Sequence, residues 1–409
     1  RYAGNHLLIF ALPEGAGTGA AFGQLIFISP ERLGEGAQVR VKLRKLIVER
    51  SHPTRHDAET LNRIALTSPD ASAVEAYRAQ SEAFNVERMT DTFYRDYAKL
   101  FQRAKDRIRE DNKGIQDFYD PSKLHTFTQR LFGRVMFLYF LQKKRALDDN
   151  PNFIGQHYEE AIRHDENFYQ AVLEPLFFET LNAPRAGGLS ARFGRVPYLN
   201  GGLFAEDDLD HRGLALLDND LFDAKGEGGI LYFLNNHSFT IEEDTPLEVE
   251  VALDPEMLGK VFENLLEEED RGRSGTFYTP RAVVAFMCRE ALAAYLMRET
   301  AMAPEQLGWL LDEAETGAPV RDAAGQERLT YHNVPFALHT SIERALESVR
   351  VLDPAVGSGA FPLGMLALLV GTRRALYRIR ENVISPQARI IEDWKRTFIR
   401  DCLYGVDIR

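Results

Sequence analysis

Apolar positions along this chain follow three successive rhythms. From His6 to Leu12 and from Gln24 to Ser29 they fall in short β-rich runs, separated by the glycine-rich Glu14-Gly15-Ala16-Gly17-Thr18-Gly19. In Val39 to Arg50 the basic residues Arg40, Lys42, Arg44, Lys45 and Arg50 are interleaved with Val41, Leu43, Leu46, Ile47 and Val48, which predicts a third strand. The spacing then lengthens to that of a helix. Phe93, Tyr97, Leu100, Phe101, Ala104 and Ile108 share one helical face, and Leu124 to Lys144 is a second helix with Phe132, Val135, Met136, Tyr139 and Phe140 inward.

In the last third, strands and helices alternate. Val283, Val284, Met287, Leu292, Tyr295 and Leu296 form an apolar helical stripe behind Thr279, a good N-cap, and Pro280, suited to a first helical position. Val351-Leu352-Asp353 reads as a strand. Leu363 to Ile379 is a helix, Ser385-Pro386 a break, and Ile390, Ile391, Trp394 and Phe398 mark another amphipathic helix. Cys402 to Ile408 is a second short strand ending in an acid, Asp407. The pattern predicts an α/β chain: a β-rich piece over 1–80, a helical connector over 81–250, and a mixed domain over 251–409.

Composition changes this picture little. The 409 residues, 44% apolar and 27% charged, are ordinary for a globular chain of two or three domains. Two cysteines, Cys288 and Cys402, are too few for a disulfide framework and fall in predicted core elements. No apolar run approaches the roughly 18 residues of a membrane span, and with Arg1 in first place no signal peptide is visible, so a cytoplasmic chain with no membrane partner is expected. The net charge of -12 argues against a wholly nucleic-acid-binding surface, and the basic stretches, including Lys143-Lys144-Arg145, read as solvated faces or helix ends.

The chemistry concentrates at Asp353-Pro354-Ala355-Val356-Gly357-Ser358-Gly359-Ala360-Phe361. Two glycines one residue apart let backbone approach a ligand, and an acid at a strand's carboxyl end can accept hydrogen bonds from a ligand or from loop amides. A dinucleotide fingerprint would need a third glycine at Pro362 and an acid near Arg373 and Arg374, so a nicotinamide or flavin enzyme is disfavoured. His52 and His56 have i,i+4 spacing but no further ligand nearby, and no metal site is expected. No phosphate loop of the ATPase type occurs.

The string Asp353 to Phe361 resembles the S-adenosylmethionine loop of amino-DNA methyltransferases, above all the adenine-N6 class. Gly275-Thr276-Phe277-Tyr278-Thr279-Pro280 looks like the element that precedes that loop in those enzymes. The resemblance implies a doubly wound, Rossmann-like methyltransferase domain, of which 251–409 would be the N-terminal half. It also implies S-adenosylmethionine as cofactor: Tyr278, Thr279 and Pro280 at its methionine end, Asp353, Ala355, Gly357, Gly359 and Phe361 around the loop, and Asp407 at the ribose.

Longer stretches are similar to the single-chain type IIG restriction-modification enzymes and their phage-defence relatives. These are Ala83 to Arg88, Arg130 to Lys144, Val196 to Phe204 and Leu258 to Leu266. The resemblance implies double-stranded DNA as partner, defence-system subunits as possible company, and methyl transfer to adenine N6. The Asn/Asp-Pro-Pro-aromatic element that holds the target amine in that family does not occur in these 409 residues; Asn150-Pro151-Asn152-Phe153 lacks the second proline and reads as a turn. The resemblance places that catalytic element beyond Arg409, so none of the present residues is expected to hold the amine. The nearest approximation to a nuclease acid set, Asp218, Asp220, Asp223 and Lys225, lies in the helical connector. The expectation is therefore a piece of a longer polypeptide, inactive alone. The alternatives are a non-catalytic cofactor-binding scaffold, or a methyltransferase acting on cytosine N4, RNA or protein.

Overall fold

A computed structural model describes residues 6–13, 22–33, 40–65, 72–199, 202–226, 228–239, 248–250, 279, 281–357, 359–383 and 386–406. Two compact units emerge: residues 1–30, 44–243 and 250–265 form the first, and residues 31–43, 244–249 and 266–409 the second.

The three strands expected near the start are present as β1 (Leu8–Pro13), β2 (Phe22–Leu33) and β3 (Arg40–Glu49). β1 runs antiparallel to β2, from Leu8 opposite Ile28 to Leu12 opposite Gln24, and β6 (Glu248–Glu250) is a short strand further along the chain. Basic residues of this region are engaged in the fold: Lys143 pairs with Glu49 at 2.7 Å, Arg44 donates to the Phe84 carbonyl at 3.2 Å, and Arg50 lies over the Phe22 ring.

The remaining elements of the first unit are mostly helical. α1 (Arg55–Ile64) and α2 (Ala73–Ala83) each open on a capping box, Thr54 with Asp57 and Ser72 with Glu75, in which side chains satisfy amides that have no partner within the helix. His52 precedes α1 while His56 lies within it, so the two do not share a helix. α3 (Val86–Asp111) and α4 (Pro121–Lys143) are the two long helices expected from the aromatic stripes. Asp120 accepts from the amides of Ser122 and Lys123, and Pro121 takes the first helical position, where its missing N–H costs nothing.

Phe93, Tyr97, Phe101 and Phe132 are all buried, with edge-on ring pairs such as Tyr97–Phe132 at 5.2 Å. After α5 (Phe153–Arg163) the chain winds as π-helix over Tyr169–Leu173 and Pro175–Leu181. Glu174 between them keeps helical dihedrals, and Pro175, which has no N–H to donate, opens the second segment. The unit closes with a short hairpin, β4 (Leu189–Ser190) and β5 (Gly194–Arg195), and with α6 (Ile230–Asn235). Asn150 begins a turn before α5, its side chain accepting from the Asn152 amide at 2.9 Å, as that segment was expected to do.

The second unit holds α7 (Arg281–Glu299), α8 (Pro304–Thr316), α9 (Phe336–Ser348), β7 (Val351–Asp353), α10 (Ala360–Glu381), α11 (Ala388–Asp401) and β8 (Leu403–Gly405). Its core includes Leu292, Leu310, Leu346, Leu369 and Phe398, with both cysteines buried. α7 departs from the expected stripe. Val284, Cys288, Leu292 and Leu296, four residues apart, face the core, while Val283 and Met287 are exposed. Adjacent apolar positions lie roughly 100° apart on a helix, and only the packing partner selects which is covered.

α10 lies close to α8. A Cβ on Gly371 would stand 2.4 Å from the Ala314 carbonyl oxygen, so no larger residue fits there without moving backbone. No helix among the described residues is long and apolar enough to cross a membrane.

Candidate cofactor site

β7 and β8 are neighbouring parallel strands, with Val351 opposite Leu403, Leu352 opposite Tyr404 and Asp353 opposite Gly405. The two strands are distant in sequence, bridged by α10 and α11, and the pairing brings their carboxyl ends together. The ladder continues past them: the Val406 amide donates to the Asp353 carbonyl, and the Val356 amide donates to the Val406 carbonyl, both at 2.9 Å. The loop after β7 is thus tied to the end of β8 by main chain alone.

Asp353 organises this turn. Its Oδ1 accepts from the Ala355 amide at 3.0 Å, while Oδ2 is buried with no hydrogen-bond partner among the described residues. An orphaned carboxylate oxygen costs free energy unless a donor arrives, so the side chain is set to receive one. Gly357 and Gly359 take φ of +47° and +83°, the left-handed region that residues with a Cβ adopt only under strain. A Cβ on Gly359 would meet nothing within 4 Å, and Pro354, Ala355 and Gly357 are exposed, so the loop faces open space. Gly359 then caps α10, whose first amides point toward the loop, a geometry that suits electron-rich ligand groups.

Of the other expected site residues, Phe361 is half-buried and packs on the core of the second unit. Thr279 is half-buried, immediately ahead of α7. Tyr278, Pro280 and Asp407 lie outside the described residues. So does Arg409, the position after which the amine-holding catalytic element is expected. α7, the helix behind Thr279, packs against the first turn of α10, where the Cys288 thiol reaches the Phe361 carbonyl at 3.7 Å.

Sequence reasoning missed two positions. Gly405 is needed where the strand passes Val356, whose side chain a Cβ would meet at 2.8 Å. Gly364 allows the approach of α7. Both are glycines outside any motif, and the signal available was a lone glycine inside a strand or helix pattern, which marks close approach.

Of Asp218, Asp220, Asp223 and Lys225, the carboxylates of Asp218 and Asp223 are occupied in shaping turns. Asp218 accepts from the Asp220 amide at 3.0 Å and pairs with Arg107, contacts that hold its carboxyl below the usual carboxylate range. Asp223 accepts from the Lys225 amide at 2.8 Å, and Lys225 stands 3.6 Å from Glu159. A cleft of about 270 Å³ beside Asp218, also lined by Asp111, Asp165 and Glu166, belongs to the first unit, whereas the glycine loop belongs to the second. Among the described residues no group of three or more His, Cys, Asp or Glu is placed to hold a metal ion.

No family model matches the chain. It is 27% identical over 356 residues, 79% of its length, to a protein of Methanocaldococcus jannaschii named, on inferred grounds, a type II restriction enzyme and methyltransferase. The resemblance to type II restriction-modification methyltransferases is borne out. The chain spans 28% of that relative's length. Among solved structures, the type IIL restriction-modification enzyme MmeI in complex with DNA aligns with a TM-score of 0.40 and 16% identity, covering 76% of this chain and 34% of its own, too distant to argue from.

Proposed function

We propose that this chain carries the cofactor-binding half of an S-adenosylmethionine-dependent DNA methyltransferase of restriction-modification type. The observation that carries the reading is the orphaned Asp353 Oδ2 at the joined tips of β7 and β8, beside a glycine loop with open space above it. These residues fit the group. Asp353 offers a buried acceptor, the first amides of α10 offer donors, and Gly357 and Gly359 leave the approach free of side chains. Thr279 and its neighbours Tyr278 and Pro280 would hold the methionine end, and Asp407, following β8, the ribose.

When bound, S-adenosylmethionine supplies an electrophilic methyl group on a sulfonium. The chain's own part is to bind and orient it: one acceptor fixed by the Ala355 amide, and a loop held to β8 by two main-chain bonds. The finer reading follows the loop sequence and the named relative: residues 251–409 begin a doubly wound domain, the target is adenine N6 in duplex DNA, and the setting is restriction-modification or phage defence.

Calorimetric titration of the 409-residue chain with S-adenosylmethionine tests the reading. Saturable one-to-one binding is expected, with affinity about tenfold lower in Gly357→Ala, because the free loop relieves the roughly 1–2 kcal/mol strain of a Cβ at φ of +47° by leaving that conformation, and binding must restore it. The same chain should transfer no tritiated methyl to duplex DNA, since no Asn/Asp-Pro-Pro-aromatic element occurs in it. An absence of cofactor binding by the parent chain would remove the proposal.

A further inference from the structure

α7 and α10 meet at one glycine. A Cβ built on Gly364 would stand 2.6 Å from Val284 Cγ1 and 3.5 Å from Cys288 Sγ. Val284 and Cys288 are one turn apart on α7 and both buried, and the Cys288 thiol also reaches the Phe361 carbonyl in the first turn of α10. Burial pushes that thiol up to about 11, so it stays protonated and can donate. The second glycine within α10, Gly371, lies two turns further on and accommodates a different neighbour, the Ala314 backbone of α8. α10 therefore carries two close-approach glycines, each seating a different helix.

We propose that Gly364 is a positioning residue for the cofactor: by seating Val284 and Cys288 directly on the α10 backbone, it sets the spacing between the Thr279 segment and the Gly357–Gly359 loop. The proposal rests on the cofactor reading above. α7 starts at Arg281, one turn before Val284, and α10 starts at Ala360, one turn before Gly364, so the contact sits next to both ligand-facing ends. A carbon at 2.6 Å must retreat by about 1 Å to regain van der Waals separation. Close-packed helices pass such a displacement on as rigid bodies, and a shift of that size is enough to spoil a two-ended grip on a ligand.

Calorimetry of the full chain with S-adenosylmethionine, run beside thermal unfolding, tests this with four variants. Gly364→Ala should lose affinity tenfold or more. Gly371→Ala overpacks the same helix and lowers the unfolding midpoint, yet should keep affinity within twofold. Adding Val284→Ala to Gly364→Ala removes the clashing methyl and should restore binding to within about threefold. Should Gly364→Ala not fold, Val284→Ala alone loosens the same contact from the other side and should weaken binding several-fold while unfolding stays cooperative. Equal losses in Gly364→Ala and Gly371→Ala, or undiminished binding in Gly364→Ala or Val284→Ala, would overturn the assignment. A parent chain that binds while these variants do not respond removes this inference alone; a parent that does not bind removes the cofactor reading with it.

Discussion

Asp353→Ala is expected to lower affinity for S-adenosylmethionine by about 100-fold or more. The substitution deletes the acceptor that fixes the Ala355 amide and the buried Oδ2 that has no partner of its own. Hydrogen bonds to a charged group contribute about 1.5–3 kcal/mol each, so the loss of loop shape and ligand contact together exceeds about 3 kcal/mol. Asp353→Asn separates the two parts. It can keep an oxygen toward Ala355 but replaces the anionic Oδ2 with a neutral donor, and should fall between parent and alanine. Titration calorimetry on the three proteins reads the order, and an alanine variant that binds like the parent would show that the carboxylate serves the turn and no ligand.

The second large effect concerns stability of the first unit. Arg134 and Asp210 form an ion pair with side chains 3% and 1% exposed. The guanidinium also donates to the carbonyls of Leu203 at 2.7 Å and Ala205 at 3.1 Å, and lies over the rings of Phe177 and Phe178. Arg134→Met keeps most of the volume but strands the Asp210 carboxylate in the core, and should cost about 3–5 kcal/mol. Adding Asp210→Leu removes the stranded charge and should recover part of that loss. Recovery stays incomplete because Asp210 also accepts from the Asp207 amide at 3.0 Å. Urea unfolding followed by circular dichroism measures both, and a single-variant loss below about 1 kcal/mol would show that water reaches the site.

Much of the second unit was legible because its signals are local. Apolar runs and a break at Ser385-Pro386 mark the presence and order of β7, α10, α11 and β8, although α10 is longer than Leu363 to Ile379 and β8 ends at Gly405. The loop was legible for the same reason: an acid at a strand's end and two glycines before a helix state their backbone requirement in the residues themselves, and Gly357 and Gly359 do take positive φ. α7 was legible as a helix and misread in its face, since Val283 and Met287 look as apolar as Val284 and Cys288 until α10 covers one pair and leaves the other exposed. Pro362 stands where a dinucleotide fingerprint has its third glycine, and a close-packing glycine of α10 is Gly364, two residues on and facing a helix rather than a strand. Tyr278, Pro280 and Asp407 fall outside the described residues.

By itself the sequence marked the first three strands, the two long helices of the first unit and β7, β8, α7, α10 and α11 of the second, together with where the glycine loop falls and which acid opens it, because these depend on neighbours within a few residues. Only the tertiary structure decided that β8 lies beside β7 in parallel register, that Asp353 Oδ2 is left without a partner among the described residues, and that Gly364 and Gly371 seat different helices. Those outcomes depend on groups brought together from distant parts of the chain, where close packing and hydrogen-bond satisfaction select the arrangement and local propensity has no say.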